Sequence, residues 1–371
     1  MSDASTAQAL DPTAETSNGG LGASIDRFRY RAQQYGLAMS LAVPGRFWNF
    51  MLSPGQERFS VAMLKTVQQR YEALLERDLA NVAAGYYPRE LLYQFPLFGY
   101  LRRVPEVLLD VPRFLLRSYR RRHDELPRAV DRSRYPHYYL RTFHWQTDGW
   151  LSERSARLYD IGVEFLFGGT ADVMRRMAIP PVVDGVRDKA RPRILDVGCG
   201  TGRFLLQLGR ALPNAKLYGL DMSGPYLLEA SALLAGTDAS FMAENAEALP
   251  LADGQFDAVT SVYLFHELPA DARRRVMREA WRVLVPGGRF VVVDSAQLAD
   301  SRELEPVMHA FPAAYHEPYY KGYLRDDLAD VMRDSGFEVE SSAPYLVSKV
   351  VVGRKPRRAH TRRIRGRRTS T

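Results

Sequence analysis

Residues 194–204 read Ile-Leu-Asp-Val-Gly-Cys-Gly-Thr-Gly-Arg-Phe, an apolar run that ends in three alternating glycines and passes straight into helix formers. The order strand, glycine turn, helix constrains the fold more than any other feature. Without a Cβ, Gly198, Gly200 and Gly202 can take open backbone dihedrals and let a ligand close on the main chain. The helix that follows aims unpaired N–H groups at the same spot. The next apolar segment, Lys216 to Asp221, predicts a second strand ending in a carboxylate. It lies about 20 residues past the glycines, where an acid can accept hydrogen bonds from ribose hydroxyls. A nucleoside-bearing cofactor is therefore expected. The spacing is G-x-G-x-G, with Asp196 two residues ahead, rather than the G-x-G-x-x-G of dinucleotide enzymes, which leaves a nicotinamide oxidoreductase as a rival class.

From Arg193 onward, short apolar runs alternate with helical stretches. Strands are expected at 194–197, 216–220, 239–243, 256–262, 289–293, 337–341 and 347–352. The alternation predicts an α/β, Rossmann-like, seven-stranded and mostly parallel sheet with helices on both faces, its ligand at the carboxyl ends of the strands.

The glycine segment resembles the first motif of the class I S-adenosylmethionine-dependent methyltransferases, and specifically of the ubiquinone/menaquinone C-methyltransferase-like group. Three further segments resemble that group's motifs in order: Glu244–Leu251 its adenine-side motif, Asp253–Val262 its fourth strand, and Leu284–Asp294 the turn into its fifth. The resemblance covers Gly149 to Gly353. It implies S-adenosyl-L-methionine as cofactor, with contacts from Asp196, Gly198, Cys199, Gly200, Gly202, Asp221, Met222, Asn245, Ala246 and Tyr263. It also implies an antiparallel pair at the end of the sheet, and Tyr159, in the segment Ser155–Asp160, over the substrate. Asn245 stands where the group usually has Asp. An amide oxygen still accepts a hydrogen bond from an adenine amino group, without charge, so weaker binding is expected.

Other residues narrow the reaction. The single cysteine, Cys199, lies in the glycine loop, so no disulfide forms within the chain and no cysteine nucleophile for pyrimidine C5 methylation follows the fourth strand. A reducing cytoplasm fits that count. The segment Ser261-Val-Tyr-Leu-Phe265 lacks the Asn/Asp-Pro-Pro-Tyr turn of relatives that methylate amino groups. Methyl transfer to carbon or oxygen of a small, lipophilic acceptor is left, such as a quinol, phenol or polyketide-like ring. His266, after the fourth strand, is the candidate base, since an imidazole titrates near neutrality; Glu267 either orients it or caps a helix. His316, Glu317 and Tyr319 lie in an aromatic loop after the fifth strand, expected to close over substrate. His266, His309 and His316 lack tight ligand spacing, and no metal is expected.

Charge is unevenly placed. Nine of the 51 Lys and Arg residues fall between Arg354 and Arg368, with no acid among them, leaving 42 basic residues against 43 acidic ones in the rest. Residues 354–371 are expected to be a disordered arginine-rich tail, as are residues 1–24, rich in Ala, Ser, Thr, Asp and Gly. The tail is the one feature that suits RNA, and an RNA-associated methyltransferase stays an alternative, although nucleic acid is not the expected partner. Residues 25–148 form a helical extension. Gln56–Asn81 predicts a long amphipathic helix. In Leu91–Arg122 the prolines at 96, 105 and 112 are expected to break the chain into short pieces. The mixture of bulky apolar groups and arginines there suits either packing on the catalytic domain or peripheral contact with a membrane. A membrane-associated cofactor-binding protein without turnover is a further alternative. Between Tyr135 and Ser152 an aromatic cluster, with Tyr139, His144 and Trp145, is either a substrate wall or core. Oligomeric state is not legible.

Overall fold

The computed structural model describes residues 21–52 and 60–357. Six helices precede the sheet: α1 (Leu21–Leu52), α2 (Val61–Ala83), α3 (Leu97–Arg120), α4 (Glu153–Leu166), α5 (Ala171–Arg176) and α6 (Ile179–Val186). Next come β1 (Arg193–Val197), α7 (Arg203–Ala211), β2 (Lys216–Asp221), α8 (Gly224–Leu233), β3 (Ala239–Ala243), β4 (Phe256–Val262), α9 (Ala270–Val283) and β5 (Leu284–Ser295). The chain closes with α10 (Glu305–Tyr315), α11 (Tyr320–Tyr323), α12 (Leu328–Asp334), β6 (Glu338–Tyr345) and β7 (Ser348–Arg354). All seven expected strands are present, and β5 begins five residues early, at Leu284.

The strands form one sheet in the order β3-β2-β1-β4-β5-β7-β6. β1 pairs parallel with both β2 and β4, so the chain winds outward first on one side of β1 and then on the other. That reversal opens a crevice at the carboxyl ends of β1 and β4, where a ligand of a doubly wound sheet sits. β7 runs antiparallel between β5 and β6. β1, β4 and β7 are buried along nearly their whole length and β5 from Phe290 to Asp294, as strands covered on both faces must be. Serine caps begin three of the helices: Ser60 accepts from the Met63 N–H at 3.1 Å, Ser152 from Ser155 at 3.1 Å, and Ser223 from Tyr226 at 3.3 Å.

The N-terminal helices share the core of the sheet. Tyr30 of α1 and Leu74 and Leu75 of α2 pack in one cluster with Ile194, Ala258 and Val291 of the strands. At the centre of this contact Asp78 of α2, fully buried, takes both arms of Arg176 from α5, the Nε–Oδ1 distance being 2.9 Å. The hydroxyls of Tyr30 and Tyr87 donate to the same carboxylate. Arg70 of α2 donates to the Leu346 carbonyl at 3.0 Å, tying the extension to the end of the sheet as well.

Three expectations are corrected here. α3 is one helix of 24 residues, not a set of short pieces, with Pro105 and Pro112 inside it. The two prolines stand seven residues apart, about two turns, so both fall on the same solvent-exposed face, where water can take up the freed carbonyls. Residues 21–24 belong to α1 rather than to a tail, and the remainder of that expected tail, 1–20, lies outside the described residues. At the other end Arg354 closes β7, and Lys355 stacks its ammonium 4.0 Å over the Trp281 ring while donating to the Leu284 carbonyl at 2.7 Å. The rest of the arginine-rich run lies outside the described residues, from 358 on. Among the described residues no helix is long and apolar enough to cross a membrane.

Candidate active site

The three glycines all take left-handed dihedrals, φ +70° at Gly198, +53° at Gly200 and +78° at Gly202, yet they do different work. A Cβ on Gly200 would meet nothing within 4 Å, which marks it as the open floor of the crevice. A Cβ on Gly202 would lie 2.8 Å from Leu234 and 3.1 Å from Ala230, so this glycine serves the close packing of α7 on α8 and not the approach of a ligand. The loop is clamped from two sides. Asp221 accepts the Gly200 N–H at 3.0 Å through one oxygen and the Ser223 N–H at 2.8 Å through the other. Thr201 donates to both oxygens of Asp160 in α4, at 2.9 and 3.0 Å. Burial raises the Asp221 pKa to about 6, against the opposing pull of its backbone hydrogen bonds.

Gly198, Gly200, Asp221, Met222, Asn245, Ala246 and Tyr263 line this crevice together. Asn245 accepts the Glu247 N–H at 2.9 Å, which holds its amide at the end of β3. Asp196 and Cys199, expected beside them, are not among the lining groups. Asp196 is buried, accepts from Thr260 Oγ1 at 2.7 Å, and has its pKa raised to about 7 by burial. Cys199 Sγ packs under Gly219, where a Cβ would lie 2.8 Å from it, and burial pushes its thiol pKa up.

Aromatic rings from the extension, from α4 and the segment before it, and from α8 close the crevice. Tyr139, Phe143, Trp150, Tyr159 and Tyr226 line it, and the rings of Trp150, Tyr159 and Tyr226 meet edge to face with centroids 5.4–5.5 Å apart. Behind them lies a second cavity of about 430 Å³ between α3 and α4, walled by Val107, Val111, Phe114, Leu158, Ile161 and Phe165. Tyr159 belongs to both linings.

A compact polar cluster stands where the two spaces meet. His266 follows β4, and Asp294 lies on the neighbouring β5, so strand pairing brings them together. His266 Nδ1 lies 2.7 Å from Asp294 Oδ1. A carboxylate only accepts, so Nδ1 carries the proton and Nε2 is turned to the cluster. The second Asp294 oxygen accepts the Phe265 N–H at 2.7 Å. His144 Nε2 is 3.5 Å from Glu267 Oε1 and 3.1 Å from Glu317 Oε1, and His266 Nε2 is 3.9 Å from Glu267 Oε1. One ligand atom from each of His144, His266, Glu267 and Glu317 lies within 4.8 Å of every other. Glu317 is 1% exposed; its Oε1 has only the ion-pair contact with His144, and its Oε2 accepts no hydrogen bond.

The electrostatics follow from three carboxylates facing two imidazoles. Burial pulls the His266 pKa down, but the charge and hydrogen bond of Asp294, with Glu317 and Glu267 behind them, raise it to about 9. That upward shift runs against the near-neutral titration expected of a base, and the excess of carboxylates is the reason. Burial raises the Glu317 pKa in turn.

Other expected groups are placed differently. His316 caps α10 in a left-handed conformation and stacks between His123, at 4.7 Å, and Trp145, at 4.9 Å. It lines neither cavity, and burial lowers its pKa to about 4. Tyr319 packs its ring edge-on to Tyr138 at 6.2 Å. His309 pairs with Glu305 along α10, so the trio with His266 and His316 does not assemble. Trp145 is core, its Nε1 donating to the Ala314 carbonyl at 2.7 Å. Sequence reasoning missed Phe143, Trp150 and Tyr226: the first two lie in an aromatic run that reads equally as core, and nothing local marks Tyr226.

Residues 194–288 match a family model described as a methyltransferase domain. A demethylmenaquinone methyltransferase of Thermus thermophilus is 39% identical over 138 residues, 37% of this chain and 60% of the relative. Another, of Roseiflexus castenholzii, is 31% identical over 164 residues, 39% of this chain and 67% of the relative. An O-methyltransferase of Aspergillus sclerotiorum is 30% identical over 156 residues, 40% of this chain and 56% of the relative. The chain thus spans about half to two thirds of the length of these curated relatives.

Proposed function

Since the chain belongs to the class I S-adenosylmethionine-dependent methyltransferases, we propose that it transfers the methyl group of S-adenosylmethionine to a carbon or oxygen of a small lipophilic acceptor. A quinol, a phenol or a polyketide-like ring fits that description. The residues at the crevice suit the cofactor: Gly200 leaves its floor open, Asp221 holds a pre-oriented carboxylate at the end of β2, and Asn245 stands at the end of β3. When bound, the cofactor supplies an activated methyl on a good leaving group. The protein's share is alignment in a dry pocket, which the aromatic rings over the crevice supply. Where the nucleophile is a phenol, its proton passes to the carboxylate–imidazole cluster below.

The apolar cavity beside the crevice is the observation that carries the acceptor class. Its aliphatic and aromatic walls offer a charged metabolite little, and Tyr159 places it next to the reacting end of the crevice. One observation adds peripheral membrane contact. Leu108, 64% exposed, also lines the cavity. It sits on a helix face that exposes Phe98, Leu101, Leu109 and Tyr119 among Arg102, Arg113 and Arg120. An apolar acceptor dissolved in a bilayer would reach the cavity along that face.

Calorimetric titration with S-adenosylmethionine, S-adenosylhomocysteine and NADH, on the intact chain and on Asp221→Ala, tests the cofactor. Binding of the adenosyl ligands alone, weakened in the variant, is expected; binding of NADH instead would overturn the reading. Turnover with methyl-labelled cofactor over panels of quinols, phenols and short oligoribonucleotides then tests the acceptor, with label expected in the first two only.

A further inference from the structure

The cluster of His144, His266, Glu267 and Glu317 holds more groups than proton uptake from an acceptor requires, and its make-up is unusual for a buried corner. Both Glu317 oxygens are buried without an aligned hydrogen bond, the imidazole of His144 standing 3.1 Å from Oε1, and a buried carboxylate so poorly matched is destabilised unless a better-placed cation answers it. The ligand atoms converge from three remote segments and all lie within 4.8 Å of one another. Three edges of the set, 3.1, 3.5 and 3.9 Å, compare with the roughly 3.3 Å edge of a tetrahedron whose metal–ligand bonds are about 2.0–2.1 Å. Asp294 holds Nδ1 of His266 at 2.7 Å and leaves Nε2 for the cluster, which is the carboxylate–histidine support that fixes a metal-bound imidazole. The surroundings are dry: the rings of Tyr320 and Tyr323 meet His266 edge-on, and those of Trp150 and Phe311 meet His144.

We propose that these four side chains bind one divalent transition-metal cation, of the Zn²⁺, Mn²⁺ or Fe²⁺ class, at the junction of the crevice and the apolar cavity. Two imidazoles with two carboxylates select such ions over Mg²⁺, which prefers an all-oxygen shell. Glu267 lines the crevice and His144 the cavity, so an ion held between them faces both. A fifth position on such an ion would take an acceptor hydroxyl and lower its pKa, the proton passing to the second oxygen of Glu267, which would ligate through one oxygen only. This last step rests on the methyl-transfer reading; binding of the ion does not.

The test uses the full chain stripped with a chelator and titrated with Zn²⁺, Mn²⁺, Co²⁺ and Mg²⁺ by calorimetry, with the visible absorption of Co²⁺ as a second readout. One equivalent of a transition ion per chain is expected, with Co²⁺ bands and no uptake of Mg²⁺. Glu317→Gln and His144→Asn each weaken binding at least roughly tenfold; asparagine is chosen because it accepts the left-handed backbone of residue 144, φ +52°. Asp294→Asn, which touches no ion, weakens it about 10–100-fold. His309→Gln leaves it unchanged. Retained binding of S-adenosylhomocysteine shows that each variant is folded. No uptake by the stripped chain, or equal uptake by Glu317→Gln and His144→Asn, overturns the proposal. Asp221→Ala keeps the two readings apart: it loses the adenosyl ligand and keeps the ion.

Discussion

At the scale of single residues, chemistry at the crevice turns on a few groups whose neighbours set their state. Asp221 is the clearest. The part proposed for it, accepting from two ribose hydroxyls, requires an ionised carboxylate, and burial brings its pKa to about 6. A bound nucleoside favours the ionised form, so protons compete with it. Affinity for S-adenosylhomocysteine is expected to be flat above that pKa and to weaken below it, by up to about tenfold per pH unit. Asp221→Asn should bind less tightly and lose the pH dependence; calorimetry across the acid range reads both. The glycines separate in the same way. Gly200→Ala meets no neighbour and is expected to keep the fold while losing cofactor affinity. Gly202→Ala drives a methyl against Leu234 and Ala230 and is expected to lower stability in urea by about 1–3 kcal/mol. Asp78 belongs to neither group. Removing it as Asp78→Ala leaves Arg176 charged and buried, at about 3–5 kcal/mol in a denaturant titration.

Among the elements, α3 has the most independent character. Its inner face is held by polar contacts: Arg103 donates to the Arg157 carbonyl at 2.6 Å, Asp110 accepts from Thr147 at 2.8 Å, and Arg117 reaches the Trp145 carbonyl. Its outer face keeps Phe98 82% and Leu109 71% exposed. Packing on the catalytic domain and contact with a membrane were alternatives in the sequence; the helix does pack, and its exposed apolar face is what the membrane proposal rests on. Phe98→Glu with Leu109→Glu removes apolar area that contributes nothing to the core. The double variant is expected to keep its thermal midpoint and lose sedimentation with anionic phospholipid vesicles; equal sedimentation of the two proteins would sink the membrane proposal. The cavity proposed for the acceptor lies between α3 and α4, so the helix face proposed to meet lipid and the cavity wall belong to one element.

For the whole molecule, the helical extension and the sheet behave as one body. Met63, Tyr30, Leu74 and Leu75 sit in the same clusters as strand residues. A chain beginning at residue 149 would expose that surface, leave Arg176 without Asp78, and lose His144 and Tyr139 from the site. It is expected to lose cooperative unfolding by circular dichroism, not to survive as a smaller enzyme. The resemblance expected to begin at Gly149 does not mark where the core begins. What the sequence by itself determined is local in origin: the strand–glycine–helix turn, the acid at the end of β2, Asn245 after β3 and the alternation that makes the sheet. Backbone dihedrals and side-chain periodicity set these within a few residues, so they are legible along the chain. Only the tertiary structure decided that α3 runs unbroken through its prolines, that Gly202 serves packing, and that Asp196 and Cys199 sit beneath the crevice rather than in it. It alone brought His144, His266 and Glu317 together, because those side chains are more than fifty residues apart and meet only after three separate segments dock on one end of the sheet.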